Sequence, residues 1–209
     1  MSRRVAKLGP CVLEGEHVRL EPLRLVHCDA LFQAGKNTKW TWFLTPLRSK
    51  RAIRRRIEGG LKAERRGQEF AFAVVMKDSR GLVGSTSYLG VVARHRRVEI
   101  GSTWYSKDVW GTVVNPECKF LLLKHAFEDW RAVRVQFVTD VRNKRSARAI
   151  SKLGARLEGR LSNYGIRSDG HTRDVFVYSI ADKDWSSVKS RLLARVRVFG
   201  QRSAPVPRA

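Results

Sequence analysis

Between a segment of strand character and one of helical character, the chain reads Trp110-Gly111-Thr112-Val113-Val114-Asn115. A helix start leaves backbone N–H groups without partners and carries the positive end of the helix dipole. A loop feeding one therefore suits a phosphate or diphosphate. Many strand-to-helix loops bind nothing, and on spacing alone the ligand stays open. Asn143 is a second capping position, at the head of a later helical pattern. The other reactive side chains exclude more than they suggest. His17, His27, His95 and His171 are dispersed and show no metal-ligand spacing; His125 falls beside Leu121 and Leu122 on a helical face and reads as a packed histidine. Cys11, Cys28 and Cys118 are scattered, odd in number and without a CxxC pair. That argues against a zinc site or disulfide framework and fits a reducing cytoplasm. No Ser-His-Asp arrangement, P-loop or dinucleotide fingerprint is visible. Trp40, Trp42 and Tyr164 are either core aromatics or rigid walls of an acceptor pocket.

Periodicity predicts the elements that hold these residues. Alternation around Val12, Val18, Leu20 and Leu23 predicts a first strand over 11–23. Asp29 opens a short helix through Leu31 and Phe32, and Thr45-Pro46 breaks the chain. Ile53, Ile57 and Leu61 then mark a helix over 49–66 that Gly67 can end. Phe70, Phe72 and Val74 alternate, and a turn at 78–81 leads to a partner strand over 82–92. A further strand covers 97–105. Asn115 as N-cap, Pro116 in the first turn and Glu117 against the positive helix end predict a helix to about Asp129. Val133, Val135 and Phe137 predict a strand over 133–139. Strand, helix and strand in that order make a crossover, and so a parallel pair. A helix over 143–153 stops at Gly154. An antiparallel pair, 157–164 with 173–180, closes the sheet around Asp169-Gly170. A basic helix over 184–198 precedes a loose tail from Gln201 that carries Pro205 and Pro207.

In their order, several of these stretches resemble the RimJ/RimL-like branch of the GNAT acetyltransferase superfamily. They are Arg97-Val98-Glu99-Ile100-Gly101-Ser102-Thr103-Trp104, the loop from Trp110, and Asn115-Pro116-Glu117-Cys118-Lys119-Phe120-Leu121-Leu122-Leu123. Val135-Gln136-Phe137-Val138-Thr139-Asp140 follows, then Asn143-Lys144-Arg145-Ser146-Ala147-Arg148-Ala149-Ile150 and Lys152-Leu153-Gly154-Ala155. Weaker similarity runs from about Leu13 to Trp185. The resemblance implies an α/β (α+β) fold: a twisted mixed sheet of six to seven strands with flanking helices, splayed between two parallel central strands. It implies acetyl-CoA as co-substrate and no metal. Pantetheine would enter the splay against the backbone of Thr103, Trp104 and Tyr105. The diphosphate would meet the N–H groups of Gly111, Thr112, Val113, Val114 and Asn115, beside Trp110. Asn143 would face the pantetheine arm while capping its helix. The superfamily loop carries glycine where Val113 stands. Glycine permits close approach and unusual φ, whereas a β-branched residue adds bulk, so acetyl-CoA should bind less tightly than with glycine there and activity should suffer.

Amine acetylation needs an unprotonated nucleophile, a polarised thioester carbonyl and a proton for the departing thiolate. The resemblance makes Glu99 the candidate base, acting through water. The other reading of Glu99 is a surface carboxylate paired with one of the many arginines. Where many relatives carry a tyrosine acid, this chain has Ile150. Ser146 is then the candidate acid or a hydrogen-bonding partner of the thiolate, or else a plain first-turn serine.

With 209 residues and 43% hydrophobic composition, the chain is expected to fold as one domain over 11–198, with flexible basic termini at 1–10 and 199–209. No apolar run reaches the roughly 20 residues of a membrane span, and the basic start runs into Glu14 and Glu16 rather than an apolar segment. Neither a membrane association nor a signal peptide is expected. The net charge of +23 has two readings. One is a footprint for nucleic acid or the ribosome, densest over 48–66; the other is an arginine bias spread over a solvated surface. Both favour approach of a polyanion such as CoA. The expected function is an acetyl-CoA-dependent N-acetyltransferase acting by direct attack of a primary amine, on a protein N-terminus or a small molecule. The alternative is a catalytically impaired protein of the same fold, kept as a ribosome- or RNA-associated binding module. A monomer or homodimer in the cytoplasm is expected.

Overall fold

A computed structural model describes residues 8–167 and 169–203. The strands are β1 (Leu13–Glu14), β2 (Val18–Pro22), β3 (Phe70–Met76), β4 (Leu82–Val92), β5 (Arg97–Tyr105), β6 (Arg134–Asp140), β7 (Arg156–Ile166) and β8 (Thr172–Ala181). The helices are α1 (Cys28–Gly35), α2 (Lys50–Arg65), α3 (Val114–Lys124), α4 (Lys144–Ser151) and α5 (Trp185–Ser203). One mixed sheet orders the strands β1-β2-β3-β4-β5-β6-β8-β7, with β5 and β6 parallel and the other neighbours antiparallel. The sheet has eight strands rather than six to seven, because the single strand expected over 11–23 is two. Gly15 N–H donates to the Val18 carbonyl at 2.9 Å and turns the chain. Glu117 of α3 reaches across and accepts from the N–H groups of His17 and Val18 at 3.0 and 3.1 Å. This carboxylate, expected to face its own helix end, instead staples the turn to α3.

The sheet separates two apolar clusters. One gathers α3, α4 and α5 through Leu121, Leu122, Ile150, Leu153, Val188 and Leu192 against Val98, Val135 and Phe137. The other gathers α1 and α2 through Leu31, Ile53 and Ile57 against Ala71, Ala73 and Trp104. In α2 the Ser49 side chain accepts from Ala52 N–H as an N-cap, and the isoleucines turn inward while Arg51, Arg54 and Arg55 stay at the surface. α3 begins at Val114 with Val113 in the capping position, so Asn115 lies inside the first turn rather than capping it. The helix then widens into a π turn over His125–Asp129. Asn143 caps α4, as its position suggests. α5 continues past 198 to Ser203, and Leu8 is buried in the first cluster. The rest of the expected termini, 1–7 and 204–209, lies outside the described residues. No described helix is long and apolar enough to cross a membrane.

Candidate active site

β5 and β6 pair only at Arg97/Arg134, Val98/Val135 and Glu99/Gln136. Beyond Glu99, β6 stays with β8 as far as Asp140, while β5 stays with β4 as far as Tyr105. A bulge marks the departure: the β4–β5 register shifts between Ser85 and Ser87, and Ser102 holds φ at 47°. Such a bulge bends its strand and re-aims the residues after it. A cleft of about 620 Å³ opens there. β5 lines it with Glu99 and Thr103, the loop before α3 with Trp110, Gly111 and Thr112, and α4 with Asn143 and Ser146. The connection from α1 to α2 adds Trp42, Phe43 and Leu44.

The head of α3 points at this cleft, but its amides are not all free. Thr112 Oγ1 donates to the Val109 carbonyl at 2.7 Å and accepts from Val114 N–H at 3.3 Å. Pro116 has no N–H to offer. Gly111 takes φ of 77°, and nothing lies within 4 Å of where its Cβ would be. Val113 has an ordinary helical φ of −63°, and its side chain is buried. It is not among the residues that line the cleft. Residue 113 thus has ordinary helical backbone, and the positive φ of the loop falls at Gly111, where glycine permits it.

Trp104 and Tyr105 are buried, and both line the cleft. Trp104 packs edge-on against Trp40 at 4.9 Å, which makes Trp40 a core residue while Trp42 and Tyr164 line the cleft. The Tyr105 carbonyl accepts from the Trp110 indole N–H at 3.1 Å and fixes the loop. Glu99 is half-buried and accepts from Gln136 Nε2 at 3.3 Å. Burial pushes its carboxyl above the usual carboxylate range, opposed by that hydrogen bond and by the charge of Arg173. Among the described residues no arginine lies within ion-pair distance of it. Asn143 Oδ1 accepts from Ser146 N–H at 3.1 Å, which leaves the Asn143 amide NH₂ and the Ser146 hydroxyl for the cleft.

Among the cleft residues that escaped sequence reasoning are Lys119, Arg145 and Arg173. Arg145 stacks its guanidinium 3.7 Å over Trp110 and so joins α4 to the loop before α3. Lys119 had a legible signal: it falls four residues after Asn115, hence on the same helical face. Arg173 had none, since it depends on the long-range pairing of β8 with β6 and β7.

The comparisons with known proteins agree with this geometry. The family model described as acetyltransferase (GNAT) domain matches residues 17–156. A crystal structure from T. thermophilus, assigned as an acetyltransferase, is 38% identical with TM-score 0.80, covering 90% of this chain and 98% of that one. A GCN5-related N-acetyltransferase from Brucella melitensis is 25% identical with TM-score 0.84, covering 92% of this chain and 88% of that one. RimL, a ribosomal L7/L12 alpha-N-protein acetyltransferase in complex with coenzyme A, has the same fold at TM-score 0.70 and 18% identity, covering 82% of this chain and 98% of that one. The parted parallel strands, the helix head between them and the matched family model together place this chain in the GNAT acetyltransferase family, in its RimJ/RimL-like branch.

Proposed function

We propose that the protein is an acetyl-CoA-dependent N-acetyltransferase that acts on a primary amine by direct attack. One observation carries this: the cleft runs unbroken from the head of α3, past the unpaired edge of β5, to a half-buried carboxylate, Glu99. The residues present fit an anionic thioester with a long polar arm. The amides of Gly111, Thr112 and Asn115, which line the cleft, would meet its diphosphate, and the β5 edge at Thr103, Trp104 and Tyr105 would pair with its amide-bearing arm. The Asn143 amide would donate to the same arm from the other wall. Acetyl-CoA, when bound, supplies an activated acetyl group.

Glu99 takes the proton of the acceptor amine, directly or through one water, and Ser146 donates a hydrogen bond to the departing sulfur. Trp42, Phe43, Leu44 and Tyr164 wall the acceptor side with apolar surface. The acceptor is a protein N-terminus or a small-molecule amine; RimL supports the first. The expected result is tight, saturable binding of acetyl-CoA by calorimetry and amine-dependent release of free thiol across a panel of peptides and small amines. Binding without thiol release from any amine would leave a binding module, and absence of binding would overturn the assignment.

A further inference from the structure

Lys119 is buried, with 6% of its surface exposed, yet its Nζ finds only hydroxyls. It donates to Thr103 Oγ1 at 2.7 Å and approaches Thr86 Oγ1 at 3.5 Å, and those two hydroxyls bond each other at 2.8 Å. No carboxylate lies within ion-pair distance of it among the described residues. A desolvated cation without a counter-charge destabilises the fold that holds it, so its retention calls for a compensating role. Two features place that role in the cleft. Lys119 lines it, against Thr103 in the part of β5 that lies beyond the last pair with β6 at Glu99. Its partners also sit on the bulge: Thr103 follows Ser102, and Thr86 lies at the register shift across from it.

Resting on the acetyltransferase reading, we propose that Lys119 is a positioning residue for the anionic acyl carrier. Its ammonium clamps the β5 bulge through Thr103 and Thr86, one helical turn from Asn115, and it gains its counter-charge when the carrier's diphosphate docks at the head of α3. Burial lowers its pKa from 10.5 to about 8. On its own helix the titratable neighbour is Cys118, whose thiol burial holds up at about 12. β4 and β5 present Thr86 and Thr103, which do not titrate, and Tyr105, whose phenol burial pushes well up. Farther along β5 the cleft also holds Glu99, whose carboxyl burial raises, and at the bulge itself Lys119 is the group whose charge changes just above pH 8.

Two consequences follow by linkage. Between about pH 8 and 10.5 the unfolded chain keeps a proton that the folded one has released, so the cost of Lys119 is full below that window and relieved through it. Conversely, an anionic ligand favours the protonated lysine, so binding near pH 8.5 draws in a proton, and affinity falls as pH rises further.

The experiment is calorimetry of acetyl-CoA binding at pH 7 to 9.5, in buffers of different ionisation enthalpy, with thermal melts of the free proteins. The unaltered protein should take up a proton near pH 8.5. Lys119→Met should melt no lower than the unaltered protein below pH 8. It should bind acetyl-CoA about tenfold more weakly at pH 7, and take up no proton. Thr103→Val, which strips the lysine of its nearest acceptor, should move proton uptake to lower pH. A merely structural lysine would instead give a lower melting temperature in Lys119→Met with unchanged affinity, and that result overturns the proposal. So does binding by the unaltered protein without proton uptake. Absence of acetyl-CoA binding by the unaltered protein overturns the acetyltransferase reading beneath it, and this inference with it.

Discussion

At Glu99 a single side chain meets two opposed demands, charge for proton transfer and burial for reach. Burial raises its pKa, so the ionised form needed as a base disappears as pH falls, from a higher pH than for an exposed glutamate. Glu99→Gln should lower kcat/KM by about 10²-fold or more and remove the acid limb of the pH–rate profile. An unchanged limb would assign it to another group. At Ser146 the helix cap uses the backbone N–H and not the hydroxyl. Ser146→Ala should therefore keep the melting temperature while lowering kcat about tenfold, and unchanged turnover would remove the hydroxyl from the mechanism. Val113 separates structure from chemistry in another way. Since its φ is helical and its side chain is buried, Val113→Gly should cost about 1–2 kcal/mol of stability without tightening acetyl-CoA binding. Tighter binding, measured by calorimetry, would show that the valine does obstruct the cradle.

Among the elements, α3 does three tasks at once. Its head faces the cleft, Leu121 and Leu122 pack the core, and Glu117 holds the turn between β1 and β2. Buried amides that lose their acceptor carry a desolvation penalty. Glu117→Ala strips the N–H groups of Glu16, His17 and Val18 together. It should lower unfolding stability in urea by about 2–4 kcal/mol, and a loss under about 1 kcal/mol would mean that water replaces the carboxylate. The splay of β5 from β6 is likewise the property of a pair of elements. β6 is committed to β8 along its whole length, so once the bulge bends β5 nothing draws the two strands back together.

For the whole molecule the charge of +23 is a field rather than a contact. A polyanionic ligand should bind more weakly as salt shortens the screening length from about 10 Å at 0.1 M to about 3 Å at 1 M. Calorimetry of acetyl-CoA across that range should show falling affinity, and salt-independent binding would limit recognition to short-range contacts. Much of this molecule could be read from its residues in order. The parallel pair follows from strand, helix and strand in succession, α2 from its isoleucine spacing, and α4 from Asn143 and Gly154, because these are local patterns that each segment expresses by itself. The family resemblance singled out Glu99, Asn143 and Ser146, and the structure brings the three to one cleft. The break in the first strand was not, since Glu117 lies about a hundred residues away and supplies the acceptor that lets the turn form. Nor were the place of Arg173 and the stack of Arg145 on Trp110, which depend on β8 joining β6 and β7 and on α4 meeting the loop before α3. Above all, residue types say nothing about the dielectric around them. A lysine in a helical pattern reads as solvated, and only the packing of α3 onto the β5 bulge turns Lys119 into a desolvated cation at the floor of the cleft.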